Sequence, residues 1–408
     1  MQIQCLKCKG RGFCGREFCP ILAKSEAMFK VRDMNIKEDF FGNAPTPFVG
    51  HYGYPYLNVG ILSVPEVREN AWLYDAPRYW GSENFKIPQI IDFRSALINS
   101  RFKAHAQDKN KLLAVSQEVG MASKPVEVEV NLEDKPKFRL KTDAYTAPIG
   151  PNAKLKQIEI TSNPKIHTKV DKVVGDSDLK ANNALLYLYE NEFDENFLTR
   201  LLSIGTLGLR KNRKLVPTRW SISSVDSNIG NYLVSKVKEY NQTNYLAYFG
   251  GYLGNYFLIL CFPEVYSYEL FETYMPKSSW NIGDKIDYTT DYEPYEGRKS
   301  YAENCGGGFY ACRMSLLEKL NRIKRQASVL VIRSITGEYA VPLGVWVVRE
   351  GTRKALENKP IEFSSRELIL KYAQSLIKKK FGYDISLILR KSIILNKLRT
   401  QSKLTSFL

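Results

Sequence analysis

The stretch YLAYFGGYLGNYFLILCF, from Tyr245 to Phe262, decides the fold class of this 408-residue chain. Tyr245 to Phe249 and Asn255 to Phe262 are dense in aromatic and branched apolar residues, which suit a pleated, half-buried surface. Gly250-Gly251 lies between them and can take the positive φ of a tight connection, so the spacing predicts a β-hairpin turning at those glycines. Helical patterns flank the hairpin. Upstream, Asp226 or Ser227 is expected to cap a helix to about Tyr240, with Val234 and Val237 facing inward. Downstream, Gly306-Gly307-Gly308 precedes a helix from Met314 to Gln326, where close backbone packing is a better account of the glycines than phosphate binding. Ser328 to Ile335 and Tyr339 to Val348 read as paired strands around Thr336-Gly337-Glu338. Interleaved strands and helices predict a mixed α/β (α+β) fold.

Beyond this centre the punctuation is local. Ser364-Ser365-Arg366-Glu367 is a capping box for a helix to Lys380 closed by Gly382, and Asp384 is expected to cap a second helix to about Arg399. Towards the N-terminus, Leu179 to Leu188 and a segment capped by Asp194 form a helical pair. Lys109 to Ala122 reads as a helix, and Pro125 to Val130 alternates like a half-exposed strand. Lys135 to Lys154 is expected to be a long loop or a weak subdomain junction. Phe48 to Gly60, rich in glycine, proline and aromatics, makes turns rather than a helix, with His51 as a packed or surface loop residue. The expected organisation is a module at 1–24, α/β regions at 25–150 and 151–358, a basic helical segment at 359–400 and a terminal peptide at 401–408.

Lys+Arg 59 against Asp+Glu 43 gives a net charge of +16, and 44% apolar with 12% aromatic residues excludes wholesale disorder. No apolar run approaches the ~18 residues of a membrane span, and the N-terminus has no signal-peptide core, so a cytoplasmic protein without a membrane partner is expected. The positive charge is uneven. From Gly351 onward there are 13 basic against 4 acidic residues, a local +9, and Arg210, Lys211, Arg213, Lys214 and Arg219 fall within ten residues. Such clusters suit phosphate contacts, although a solvated face is the competing explanation.

Cys5, Cys8, Cys14 and Cys19 follow C-x2-C-x5-C-x4-C, which can set four thiolates around one tetrahedral Zn2+. Two disulfides are the alternative, disfavoured in a reducing compartment. Lys7, Lys9, Arg11 and Arg16 surround the thiols as candidate DNA contacts, with a plain basic cap as the competing account. Trp280 to Ser300 holds Asp284, Asp287, Asp291, Glu293 and Glu296 and is expected to be an exposed, mobile acidic loop; convergent acids for two-metal hydrolysis are the lesser alternative.

The last eight residues carry Q-x-x-L-x-x-F-L. This resembles the peptide that binds the replication sliding clamp (PCNA): Gln401 hydrogen-bonds the surface, while Leu404, Phe407 and Leu408 fill an apolar pocket from one helical turn. Docking of this end onto its own domain is the competing account. The whole chain resembles the archaeal Nre DNA-repair family in its N-terminal cysteines, Phe48 to Gly60, Lys214 to Ser221, Tyr301 with Gly306 to Tyr310, Arg325-Gln326-Ala327, Gly344-Val345-Trp346, Arg349-Glu350 and the terminal peptide. The resemblance implies a DNA-damage repair factor recruited to the sliding clamp. Expected partners are the clamp, DNA and other repair proteins. A non-catalytic adaptor is favoured; the alternative is a DNA-processing enzyme, a nuclease or nucleotide-dependent transferase, using Arg219, Trp220, Asp226, Arg349 and Glu350.

Overall fold

A computed structural model describes residues 37–137, 150–276, 278–281 and 283–400, with Cys8, Arg11, Cys19, Leu22, Ser25, Glu26 and Phe29 before them. Cys5, Cys14, Lys7, Lys9, Arg16 and residues 401–408 lie outside the described residues. The chain divides into two units, Met1–Ile229 with Ala340–Gly344, and Gly230–Tyr339 with Val345–Leu408.

The first unit is built on a closed five-stranded barrel of order β1-β2-β3-β5-β4. Its strands are β1 (Asp39–Val49), β2 (Tyr56–Val64), β3 (Ile98–His105), β4 (Val126–Leu132) and β5 (Asn152–Ile160). Neighbours run antiparallel except β3 and β5, and β1 closes the barrel on β4 through pairs such as Gly42↔Val128. The alternation in β4 is physical: Val126, Val128, Val130 and Leu132 fill the core, while Glu127, Glu129 and Asn131 turn outward. Two short helices, α1 (Pro77–Ser82) and α2 (Ile87–Ala96), lie between β2 and β3. Between β3 and β4, α3 (Lys111–Met121) begins at Asn110, whose side chain accepts the Leu113 N–H, and buries Leu113, Val115 and Val119 in the barrel core. The loop expected over Lys135 to Lys154 gives way at Asn152 to β5, which completes the barrel.

Three helices follow, α4 (Thr168–Gly175), α5 (Ala181–Glu190) and α6 (Glu195–Ser203), with Asp194 capping α6 as its position suggested. The next helix, α7 (Thr218–Val237), corrects an expectation: it starts after Pro217, and Asp226 sits inside it, fully buried, rather than capping it.

In the second unit a six-stranded sheet has the order β11-β6-β7-β10-β8-β9. The hairpin joins β6 (Tyr245–Tyr252) to β7 (Asn255–Phe262), but it turns at Leu253 and Gly254, both at positive φ. Gly250 and Gly251 lie inside β6 instead. A Cβ on Gly250 would come within 2.7 Å of the Ala355 Cα, so this glycine admits a helix against the sheet rather than a turn. The remaining strands are β8 (Ser267–Tyr274), β9 (Asp287–Glu293), β10 (Ser328–Ile335) and β11 (Ile361–Phe363). Tyr339 to Val348 do not pair with β10. Its edges are taken by β7, antiparallel, and β8, parallel, and Trp346 already opens a helix.

Helices α8 (Gly307–Ile323) and α9 (Trp346–Glu357) pack together, and α9 lies on β6 and β7. A second apolar cluster joins Leu258, Leu260, Leu330 and Ile332 to Ile369, Ala373 and Ile377 of α10 (Arg366–Phe381). Ser365 caps α10 and Gly382 ends it at positive φ, as the local sequence predicts. The single helix expected after Asp384 is broken into α11 (Ser386–Lys391) and α12 (Ile393–Thr400). Glu269 of β8 supplies the reason. Its carboxylate accepts the Ser392 hydroxyl at 2.6 Å and the N–H groups of Ile393 and Ile394 at 2.9 and 3.1 Å, capping α12 as a new helix.

Candidate nucleic-acid interface

The turn from β1 to β2 holds His51-Tyr52-Gly53-Tyr54-Pro55. It is closed by Tyr56 N–H donating to Gly53 C=O at 2.8 Å and Gly50 N–H donating to Asn58 C=O at 2.9 Å. Gly53 takes φ +85°, which a side chain would strain. The rings of the turn stand out: Tyr52 is 80% exposed, Tyr56 67% and Tyr54 43%. Three tyrosines exposed within five residues form an apolar surface that packing does not explain.

The basic run reaches the same end of the barrel through two long-range hydrogen bonds. Leu215 N–H donates to Ala106 C=O at 2.7 Å, just past the end of β3, and Val49 N–H donates to Thr218 Oγ1 at 2.9 Å, at the end of β1. The first turn of α7 therefore lies beside the β1–β2 turn. Trp220, 48% exposed, packs its ring 5.6 Å from that of Tyr54. Partial burial and the Arg219 charge hold the His51 imidazole below its ordinary pKa, so near neutral pH it is uncharged.

Other residues of the run divide by role. Arg210, Lys211, Lys214 and Arg219 are exposed, whereas Arg213 donates to the carbonyls of Gly208 and Asp176 at 2.8 and 2.9 Å and holds its own loop. Missed at the sequence level is the outer face of β3, where Arg101 and Lys103 are exposed and His105 packs 5.2 Å from Tyr56. The signal was present as the alternation Arg101-x-Lys103-x-His105, with Phe102 and Ala104 turned inward.

At the N-terminus, Cys8 is buried, Cys19 half-buried and Arg11 exposed. The residues named for an enzymatic site are placed as follows. Asp226 is buried inside α7; on α9, Arg349 and Glu350 are buried, with Glu350 accepting from Arg353 at 2.7 Å. Arg353 also forks onto Glu318 at 3.0 and 3.1 Å.

The acidic loop expected over Trp280 to Ser300 is corrected where it forms β9. Asp291 and Glu293 are buried, paired respectively with Arg298 at 3.2 Å and Arg313 at 2.7 Å, while Asp284, Asp287 and Glu296 stay exposed. Asp291 also accepts the Cys305 N–H at 2.8 Å. Burial raises the thiols of Cys261 to about 12 and Cys312 to about 11, and pushes Cys305 up as well, the reverse of an activated nucleophile. Gly308 lies against Glu272, where a Cβ would come within 2.5 Å of a carboxylate oxygen, in line with glycines serving close packing. Among the described residues no helix is long and apolar enough to cross a membrane.

Comparison with known proteins places two family descriptions along the chain: "Archaeal Nre, N-terminal" matches residues 13–281 and "Archaeal Nre, C-terminal" matches residues 293–407. The DNA repair protein NreB of Archaeoglobus fulgidus is 33% identical over 402 residues, 98% of this chain and 99% of its own. NreA of the same organism, also named a DNA repair protein, is 37% identical over 386 residues, covering 93% and 95%. NreA of Haloferax volcanii, named likewise, is 35% identical over 327 residues, 78% of each chain. No solved structure matches.

Proposed function

Because the chain belongs to the archaeal Nre family, whose relatives carry the name DNA repair protein, we propose that it acts in DNA repair as a clamp-recruited, DNA-binding adaptor. The observation that carries the DNA contact is the barrel end where exposed tyrosines and Trp220 meet Arg219 and the exposed part of the basic run. Cations there release counterions from phosphate, and rings offer faces for bases. Recruitment falls to Gln401, Leu404, Phe407 and Leu408, which follow directly on α12 and form the clamp-type peptide. Cys5, Cys8, Cys14 and Cys19 would hold one Zn2+ as thiolates, a donor set suited to a closed structural site that fastens a short segment. An adaptor fits the second unit, where Glu350, Glu293 and Glu272 are committed to arginines.

Fluorescence anisotropy of labelled DNA over a salt series tests the central point. Replacing Arg210, Lys211, Lys214 and Arg219 by alanine lowers the log–log salt slope by about one for each phosphate that is no longer neutralised. An unchanged slope and affinity would overturn the assignment of this surface. Deleting residues 401–408 abolishes capture by immobilised sliding clamp with the fold intact, and persistent capture would overturn recruitment by the peptide.

A further inference from the structure

The strand order β1-β2-β3-β5-β4, with β1 closing on β4 and β3 parallel to β5, is that of the five-stranded Greek-key barrel that binds oligonucleotides and oligosaccharides. Barrels of this type take ligands across the outer face of β2 and β3 and against the β1–β2 turn. In this chain that face carries the features such a ligand needs. Tyr56 of β2 stands opposite His105 of β3, and Asn58 opposite the exposed Lys103. The tyrosine turn continues the face at one end, joined there by Arg219 and Trp220.

We propose that the barrel binds single-stranded DNA, with unpaired bases stacking on Tyr52, Tyr54, Tyr56 and Trp220 and the backbone phosphates meeting Lys103 and Arg219. This rests on DNA being the ligand of the surface described above and adds which form of DNA it takes. Exposed rings gain little from a duplex, whose base faces are already stacked on one another; an unpaired base offers its π-face. Saccharides also stack on aromatic rings but carry no phosphate for the cations to meet, and the +16 net charge favours a polyanion. Elsewhere on the barrel, β4 presents Glu127 and Glu129 with the exposed Phe41 of β1 beside Glu129. Carboxylates there repel phosphate, which disfavours that face for the strand.

The test uses the full chain and a labelled oligothymidylate of about 12 nucleotides, within the site size of one such barrel, against a duplex of equal length and an oligouridylate. Oligothymidylate binds at least about ten-fold tighter than duplex. Tyr54→Leu and Tyr56→Leu each weaken it by about ten-fold, Tyr54→Phe and Tyr56→Phe, which keep the ring, retain affinity, and Phe41→Leu changes nothing. Equal affinity for duplex and single strand, or loss on Lys103→Ala and Arg219→Ala without loss on the leucine variants, would overturn stacking while leaving DNA as ligand. Tighter binding of oligouridylate than of oligothymidylate would overturn DNA as the strand recognised. Failure to bind DNA of either form sinks the DNA-binding function itself.

Discussion

The barrel of the first unit and the sheet of the second put their charges in opposite places. Inside the barrel the clustered side chains are apolar, among them Val49, Leu57, Val59, Ile61 and Val128, and the charged residues of β3 and β4 point outward. The sheet unit draws charge inward. Arg313 pairs with Glu293, Arg333 is bonded to Glu272 and to the Asn255 side chain at 2.6 Å, and Glu269 caps α12, all buried. A buried ion pair costs desolvation that its attraction only partly returns, whereas an exposed cation costs the fold little and stays available to a ligand. Charge inside the sheet unit therefore organises structure, whereas the exposed charges of β3 and β4 lie on the barrel's outer surface, where solvent screens them.

The contrast can be broken most directly at Arg313. Arg313→Met strands the buried Glu293 carboxylate and is expected to cost about 3–5 kcal/mol in urea unfolding, with much of the loss recovered when Glu293→Met is added. A loss below 1 kcal/mol would mean that the pair does not organise the unit. Next in size is Gly250→Ala, whose new methyl meets the backbone of α9 and costs about 1–3 kcal/mol, read as a lowered Tm. In the first unit, Asp194→Ala removes the acceptor for the Asn196 and Phe197 N–H groups and should cost about 1 kcal/mol.

A pH effect is smaller. Burial raises the Glu269 carboxyl above its usual 4.5, so the native state holds this proton more tightly than the unfolded chain. Its contribution is greatest below pH 4.5 and declines as pH rises through the native value. Subtracting Glu269→Gln stability from wild type across roughly pH 4 to 7 should give a difference that falls with rising pH; a flat difference would refute the shift. The smallest effect sharpens the other side of the comparison: Lys103→Ala and Arg219→Ala should change stability by less than about 0.5 kcal/mol, while the proposed DNA contact predicts that both weaken binding.

Elements whose signals are local were legible in the chain. α6 and α10 begin at Asp194 and Ser365, and each cap is a side chain bonding an amide two or three residues on, so nothing distant is needed to recognise it. Hairpin strands β6 and β7 were legible too, yet their turn was misplaced, because Gly250 answers to a helix about a hundred residues later rather than to its neighbours. Asp291 and Glu293 looked like solvated acids for the same reason, since their partners Arg298 and Arg313 come from beyond the strand.

The candidate interface follows the same division. The basic run at Arg210 to Arg219 and the glycine-rich aromatic turn after Phe48 were both visible as separate features, and neither says that they meet. Their meeting rests on the hydrogen bond from Val49 to Thr218, spanning 169 positions, and on that from Leu215 to Ala106.

By itself the sequence determined the mixed α/β class, the caps of α6 and α10, the excess of positive charge and the terminal cysteine and clamp-type motifs, because composition, periodicity and capping act over a few residues. Only the tertiary structure decided which acids are interior, where the hairpin turns, and that a closed barrel lines up Tyr56, Lys103 and Trp220 at one surface. Those outcomes depend on strand register and on which segments exclude water together, and such long-range terms leave little local trace in a single chain.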